Sequence, residues 1–227
     1  MDRVMARRVL WSACVPPAFR PITVRMAMNS RQEIKEDTAE DFGRWHSRGY
    51  LPHFDAANIV QTLTLRLGDS LPAAKLDEWK AAQKLESDVA ILTRIESYLD
   101  GGCGQCFLRD PRIASIVESA LLHFDGTRYN LIAWVIMPNH VHAMLETRPG
   151  HSFPEVMHSL KSFTSKEANK ILSRTGKFWE PDYFDRYVRN QNHFGFALRY
   201  IHENPVHAGL CDRAEDWRFS SARRRLK

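Results

Sequence analysis

The chain has 227 residues, of which 44% are hydrophobic and 26% are charged, a composition typical of a folded globular protein. No segment approaches the run of about 18 apolar residues that a membrane span needs, so an integral membrane protein is not expected. The formal net charge is +5, and residues 151–227 alone carry fourteen basic and nine acidic side chains. A basic C-terminal third favours a polyanionic partner such as nucleic acid, although a solvated basic surface is the simpler alternative.

The first 47 residues are predicted to form a poorly ordered extension. Three arginines precede an apolar segment, as in a secretory signal, but Pro16-Pro17 interrupts that segment and no small-residue cleavage pattern follows it. Met26 or Met28 could equally be the start of the protein. The four cysteines suit a reducing cytoplasm, and Cys103-Gly-Gln-Cys106 is too isolated to indicate a zinc site.

We predict a catalytic domain over residues 48–222 and a basic tail over residues 223–227. Residues 59–67 alternate in polarity and are rich in β-branched side chains, which predicts the first core strand. Residues 73–99 have helical periodicity and are predicted to form a largely peripheral accessory helix. Asp110-Pro111 is typical of an N-cap followed by the first residue of a second helix.

Two histidines lie one residue apart in a predicted β-hairpin. Residues 129–136 form an apolar run, Met137-Pro138-Asn139 has turn chemistry, and His140 and His142 begin the next strand. Because residues i and i+2 of a strand share a face, both imidazoles can converge on one ion. The pair is therefore half of a candidate metal site, and two buried histidines with backbone partners are the simpler alternative.

Ser152 and Glu155 form a capping box that predicts a helix to about residue 173. Along this helix Lys166 and Lys170 lie four residues apart, a spacing that could follow a phosphate backbone or could mark a solvated face. Residues 178–189 interleave aromatic side chains with arginines, as in base stacking combined with phosphate contact, although such aromatics are often core residues.

The last predicted helix covers residues 193–203 and is expected to stop before Pro205. Tyr200 and Asn204 lie at i and i+4, so the helix can present a phenol and a carboxamide together. Two imidazoles and an amide oxygen would hold a divalent ion and leave positions open, as in catalytic metal sites. Imidazole suits zinc, copper or manganese, whereas an amide oxygen and phosphate favour magnesium or manganese, so these residues leave the ion's identity open. A nearby phenol could attack phosphorus and form a phosphotyrosyl intermediate.

Several motifs together resemble the REP-associated tyrosine transposases, a family of the single-tyrosine, His-hydrophobic-His transposase superfamily. They are Pro138-Asn139-His140-Val141-His142, Phe178-Trp179, Tyr183-Phe184-Asp185-Arg186, Tyr200-Ile201-His202-Glu203-Asn204-Pro205-Val206, Asp216-Trp217 and Ser220-Ser221. With weaker similarities upstream, the resemblance covers about residues 48–221.

The resemblance implies an α+β domain of ferredoxin-like (RRM-like) type, an antiparallel sheet with helices on one face. It implies a metal-dependent enzyme that nicks and joins single-stranded DNA at hairpins. Tyr200 would become linked to the 5′ side of the cut, and His140, His142 and Asn204 would bind Mg²⁺ or Mn²⁺, with no need for ATP. The hairpin would be bound by basic residues, of which we select Lys161, Lys166, Lys170, Arg186 and Arg189.

A protein of this family is expected in the cytoplasm, associated with the nucleoid, as a monomer or a homodimer. Two other functions stay open from the sequence. A histidine-triad nucleotide hydrolase has a third alternating histidine, and Met144 occupies that position here. A non-cleaving DNA-hairpin-binding protein derived from a transposase would keep the fold and the basic surface without the chemistry.

Overall fold

The computed structural model describes residues 45–47, 52–54, 59–72, 74–75, 77 and 88–226. Most of the predicted extension over residues 1–47 therefore lies outside the described residues. Its last residues form a short strand, β1 (Trp45–Ser47), which pairs antiparallel with β2 (Pro52–Phe54).

A four-stranded antiparallel sheet forms the centre of the fold. Its strands are β3 (Val60–Arg66), β4 (Tyr129–Ile136), β5 (His140–Thr147) and β6 (Phe184–Tyr187), and their order is β4-β5-β3-β6. The predicted hairpin is confirmed, because β4 and β5 pair antiparallel and the histidines begin β5. The predicted α+β class with an antiparallel sheet is confirmed, and the ferredoxin-like detail stays a prediction.

The helices with described bounds that accompany the sheet are α1 (Asp88–Asp100), α2 (Pro111–His123), α3 (Phe153–Ile171) and α4 (Gln191–His207). The predicted start of α2 is confirmed, because the Asp110 carboxylate accepts a hydrogen bond from the Arg112 backbone N–H at 2.9 Å. The capping box of α3 is also formed. None of the helices in the described part of the chain has the length and apolar character of a membrane span.

One face of the sheet carries the larger hydrophobic core. On β5, the side chains of Val141, Ala143 and Leu145 join residues of α2 and α3 in this core. The predicted covering of one face by helices therefore corresponds to α2 and α3.

The opposite face is covered by α4 and by the last turns of α1. Met144 of β5 packs against Ile201 of α4, and Phe184 of β6 packs against Ile95 and Leu99 of α1. Helices thus lie on both faces, whereas the sequence predicts them on one, because the second face is itself apolar and must also be buried. Since strand side chains alternate, the histidine pair shares the face of Met144 and points into this second layer.

Helix α4 continues through the proline that was expected to end it. Pro205 is buried inside the helix, whose last residue is His207. Proline removes one helical N–H, but the backbone after it still closes the turn. The Ala208 N–H donates to the Asn204 backbone carbonyl at 3.0 Å, and the Leu210 N–H donates to the Pro205 carbonyl at 2.8 Å. The prediction that the helix stops before Pro205 was wrong because buried packing outweighs the lost hydrogen bond.

The C-terminal segment covers the outer edge of β4. Ile136 N–H donates to the Phe219 carbonyl at 2.9 Å, and the Trp217 indole N–H donates to the Ile136 carbonyl at 2.9 Å. The Ser221 hydroxyl accepts from Trp134 N–H at 3.0 Å and donates to the Trp134 carbonyl at 3.2 Å. Trp217 and Ser221, which belong to the family-like motifs, therefore provide hydrogen-bond partners for backbone groups at the edge strand β4.

Replacing Ser221 with Ala should lower the free energy of unfolding by roughly 1–3 kcal/mol, because a buried N–H of Trp134 loses this partner. Urea unfolding followed by circular dichroism measures this difference. Ser162→Ala on the exposed side of α3 is the control and should change stability little. Equal stability of S221A and the wild type would contradict the structural role of Ser221.

Candidate metal centre and nucleophile

The two histidines of β5 are buried side by side. The exposed fractions of His140 and His142 are 0% and 3%, and their ring centroids lie 4.7 Å apart. The fold thus brings both imidazoles to one place, on the face of the sheet covered by α1 and α4.

Burial keeps both imidazoles neutral. It lowers the pKa of His142 to about 3, and burial together with His142 lowers the pKa of His140 well below its ordinary value. A neutral imidazole has one nitrogen lone pair, which is the form that binds metals. The site therefore holds the histidines in the ligand-competent state at neutral pH.

Each histidine uses its Nδ1 atom for a hydrogen bond within the protein. His140 Nδ1 lies 2.7 Å from Asn139 Oδ1, and His142 Nδ1 lies 2.8 Å from Thr64 Oγ1. The Nε2 atoms of both rings are buried and have no hydrogen-bond partner within the described residues. Metal-binding histidines commonly have this arrangement, in which the nitrogen not facing the ion is held by a second residue.

Helix α1 adds a carboxylate that the sequence analysis did not select. Asp100 Oδ1 lies 3.6 Å from His140 Nε2, and the ligand atoms of Asp100, His140 and His142 all lie within 4.8 Å of one another. Burial, and then Glu96, raise the pKa of Asp100 to about 7, in spite of the neighbouring Asn204 amide. Like the two Nε2 atoms, Asp100 Oδ1 is buried without a hydrogen-bond partner within the described part of the chain.

These three buried and unpartnered ligand atoms fit a divalent cation. Two neutral imidazoles and one carboxylate are a ligand set found in catalytic metal sites, and an uncompensated carboxylate in this environment is costly without a cation. The cluster is therefore compatible with a metal site.

The candidate nucleophile stands beside the histidines. The ring centroids of Tyr200 and His142 are 5.3 Å apart, and the Tyr200 Oη atom is buried with no hydrogen-bond partner among the described residues. Burial first, and then the charges of Glu96 and Asp100, raise the pKa of Tyr200 well above its ordinary value. The phenol is therefore protonated at neutral pH and needs a proton acceptor before it can attack.

Asn204 lies one helical turn beyond Tyr200 and is completely buried. Its amide oxygen and nitrogen have no hydrogen-bond partner within the described residues. The amide is close enough to Asp100 to lower the pKa of that carboxylate. The structure therefore brings Asn204 to the cluster, as the spacing from Tyr200 predicts.

Glu96 is a second acidic residue of the candidate site that the sequence alone does not predict. Burial raises the pKa of Glu96 to about 7, while Arg186 and Tyr200 act in the opposite direction. Glu96 and Asp100 lie at i and i+4 on α1, as Tyr200 and Asn204 do on α4, so the two helices offer matched pairs. Part of the accessory helix predicted over residues 73–99 lies outside the described residues, and α1, which covers its C-terminal end, reaches the candidate site.

The predicted DNA-binding residues fall on both faces of the sheet. Arg186 of β6 lies opposite Thr62 in register and so shares the face of the histidine pair, close to Glu96. Arg189 follows β6, with its guanidinium 5.4 Å from the centroid of the Tyr187 ring. The other candidates are on α3, across the sheet from the metal cluster: Lys161, Lys166 and Lys170.

The three lysines of α3 differ in their surroundings. Lys161 donates to the Pro181 carbonyl beside a cavity of about 310 Å³, and burial lowers its pKa to about 8. Lys170 pairs with Glu167 at 2.7 Å and is exposed, and Lys166 is exposed one turn earlier. Lys166 and Lys170 are therefore the accessible cations of this helix.

Comparison with known proteins supports the family resemblance. Residues 110–204 match the family model described as "Transposase IS200 like". A REP-associated tyrosine transposase of Escherichia coli (strain K12) is 28% identical over 98 residues, which are 42% of this chain and 56% of that protein. The chain thus matches little more than half the length of this curated relative, and the resemblance to REP-associated tyrosine transposases is confirmed.

A solved structure supports the fold. A REP-associated tyrosine transposase bound to a REP hairpin superposes with a TM-score of 0.50 at 16% identity, covering 77% of this chain and 82% of that one. Residues 110–204 include both histidines, Tyr200 and Asn204. Glu96 and Asp100 precede this segment, so the family match gave no signal for them.

Replacing Glu96 with Gln should stabilise the metal-free protein at pH 8 but not at pH 5. The pKa of Glu96 is raised in the folded state, so its contribution to stability is complete below about 4.5 and is lost as the pH rises through about 7. Removing the charge should therefore raise the unfolding free energy at pH 8 by roughly 1–3 kcal/mol.

Thermal unfolding in EDTA at both pH values measures this effect. The matched control is Glu203→Gln on the exposed side of α4, whose effect should be small at both pH values. A stability change in E96Q that is equal at pH 5 and pH 8 would contradict the buried charge.

Proposed function

We propose that this chain, which resembles the REP-associated tyrosine transposases, is a metal-dependent enzyme that nicks and joins single-stranded DNA at REP-type hairpins. The reaction would proceed through a 5′-phosphotyrosine intermediate on Tyr200. The observation that carries this proposal is the position of Tyr200. The centroid of its ring lies 5.3 Å from that of His142, beside the unpartnered ligand atoms of Asp100, His140 and His142. We assign residues 48–222 to the catalytic domain and residues 223–227 to a basic tail.

We assign the ion site to His140, His142 and Asn204, and we add Asp100. Two oxygen donors beside the imidazoles favour Mg²⁺ or Mn²⁺ over copper, which prefers nitrogen-rich sites. The bound ion would withdraw charge from the non-bridging oxygens of the scissile phosphodiester.

Tyr200 is the nucleophile in this proposal. Its Oη atom forms a bond to phosphorus, the bond from phosphorus to the 3′ oxygen breaks, and the departing 3′ oxygen takes up a proton. The phenol must release its own proton, and Glu96 is the facing carboxylate that can accept it. Because burial raises the pKa of Glu96 to about 7, this carboxylate is a stronger base than an exposed glutamate.

The phosphotyrosine ester conserves the energy of the broken bond. A free 3′-OH can attack the same phosphorus, the phenol leaves, and the strand is joined again. The proton held by Glu96 can return to Tyr200 Oη in this direction, as microscopic reversibility requires. Cutting and joining therefore need no ATP.

The basic residues would have two separate tasks. Arg186 shares the catalytic face and can contact phosphates near the scissile bond. Lys161, Lys166 and Lys170 would contact the hairpin on the other side of the sheet, with Arg189 beyond the end of β6. The DNA would then have to pass around the β6 edge of the sheet.

The direct test uses single-stranded hairpin oligonucleotides from repeats near the protein's own gene, labelled at the 5′ or 3′ end. With Mn²⁺ or Mg²⁺, we expect a covalent adduct carrying the 3′ fragment and a released 5′ fragment with a free 3′-OH, and no adduct with EDTA. Tyr200→Phe should reduce adduct formation by at least about a thousandfold and leave hairpin affinity within a few-fold.

The control for this substitution is Tyr187→Phe on β6, whose side chain belongs to the opposite face of the sheet. Y187F should form the adduct at close to the wild-type rate. Hairpin binding without cleavage under any ion would contradict the enzyme and would favour the non-cleaving hairpin-binding protein.

Substitution of basic residues should separate binding from cleavage. Lys166→Ala and Lys170→Ala should each weaken hairpin binding and lower the slope of log K against log salt by about one, without changing the cleavage rate of bound DNA. Arg186→Ala should lower that cleavage rate more than it lowers affinity. Fluorescence anisotropy at several salt concentrations, with single-turnover cleavage, tests both statements, and identical profiles for K166A and R186A would contradict the division.

A further inference from the structure

The turn before the histidines contains a buried asparagine whose contacts exceed the needs of a turn. Asn139 is completely buried, and its side chain reaches three different partners. Its backbone carbonyl also accepts a hydrogen bond from Leu67 N–H at 2.9 Å, so the residue is held from both sides. The sequence alone predicts only a turn at this position.

The partners of the amide nitrogen fix the orientation of the side chain. Asn139 Nδ2 lies 3.0 Å from the Leu99 carbonyl and 2.9 Å from the Cys103 carbonyl. Both partners can only accept hydrogen bonds, so the NH₂ group must face them. The amide oxygen must then face the other way, toward His140.

This orientation decides which nitrogen of His140 carries its proton. Asn139 Oδ1 lies 2.7 Å from His140 Nδ1, and an amide oxygen can only accept. His140 Nδ1 is therefore the donor, and a neutral imidazole has no second N–H. The lone pair is left on Nε2, the atom that lies 3.6 Å from Asp100 Oδ1.

The other histidine has no equivalent constraint. His142 Nδ1 is bonded to the Thr64 hydroxyl, which can donate or accept. Thr64 therefore permits either tautomer of His142, whereas Asn139 permits one tautomer of His140.

The same amide also holds the end of α1. Leu99 immediately precedes Asp100, and Cys103 lies in the turn after the helix. A hydrogen bond to each of these carbonyls fixes the chain on both sides of Asp100. Asn139 thus links the helix that carries the carboxylate to the strand that carries the imidazoles.

We propose that Asn139 is a positioning residue that fixes the Nδ1–H tautomer of His140 and holds Asp100 beside its free Nε2 atom. One side chain would thereby preorganise ligands from two elements far apart in the sequence. The role in metal binding rests on the proposed function, whereas the tautomer is a property of the metal-free protein.

The first experiment measures the tautomer directly. Long-range ¹H–¹⁵N spectra of ¹⁵N-histidine-labelled wild type in EDTA, with His140 assigned by His140→Gln, should show the Nδ1–H form. An Nε2–H form of His140 in the folded wild type would overturn the proposal without any variant. This result does not depend on DNA cleavage, so it is distinct from failure of the proposed function.

Two variants separate the two tasks of the amide. Asn139→Asp keeps an acceptor toward His140 but loses both donors, so it should keep the Nδ1–H tautomer and bind Mn²⁺ more weakly because Asp100 is held less firmly. Asn139→Ala removes the acceptor and both donors, so His140 should populate the Nε2–H form. The affinity for Mn²⁺, measured by calorimetry, should then fall about 10–100-fold.

Thr64→Val is the matched control at the other histidine. It should alter the spectrum of His142 and leave the tautomer of His140 unchanged. An unaltered His140 tautomer in a folded N139A protein, with Mn²⁺ affinity within twofold of the wild type, would overturn the proposal. If N139A does not fold, N139D and the wild-type spectrum still decide it.

Discussion

The properties of the layer between the sheet and helices α1 and α4 follow from the free-energy cost of removing charged and polar groups from water. Two imidazoles are buried there with unpartnered nitrogens, the Asp100 carboxylate lies against them, and Glu96 is close to Asp100 and Tyr200. The imidazoles respond by staying neutral, whereas Glu96 and Asp100 have pKa values raised to about 7. Without a cation this layer has an excess of negative charge, partly balanced by Arg186. A divalent ion bound at this cluster would offset that negative charge, as the proposed chemistry requires.

The two faces of the sheet have different roles, a hydrophobic core on one face and the candidate site on the other. One face of the sheet, covered by α2 and α3, is the larger hydrophobic core and supplies much of the buried apolar area. The opposite face contains a smaller apolar cluster around Met144 and Ile201, and Val135 of this cluster lies beside His142 in the sheet register. Since β5 contributes to both faces through alternate side chains, the strand is anchored by its apolar residues while it presents two histidines. The site can therefore be polar and buried without weakening the core.

Local spacing was enough to predict the parts of the site that lie close together in the sequence. The i, i+2 spacing of the histidines in a strand and the i, i+4 spacing of Tyr200 and Asn204 in a helix each determine a shared face. The two caps of α2 and α3 were predictable for the same reason, because each depends on a few neighbouring residues.

The rest depends on contacts between distant segments, which spacing does not encode. Glu96 and Asp100 join the site only because α1 docks on the second face of the sheet, about forty residues before the histidines. The prediction that α4 ends before Pro205 was wrong for a related reason, since burial in the folded protein overrides the local helix-breaking effect of proline. The contacts of Asn139 with Leu99 and Cys103 likewise exist only in the folded chain.

We propose that β5, α1 and α4 together form one ion site beside Tyr200. Anomalous diffraction from crystals of the protein grown with Mn²⁺ tests it most directly, because the ion is located independently of any reaction. We expect a single strong peak bound by the Nε2 atoms of His140 and His142 and by oxygens of Asp100 and Asn204, next to the Tyr200 phenol. A peak bound through the Nδ1 atoms, a peak elsewhere on the molecule, or no peak at saturating Mn²⁺ would contradict it.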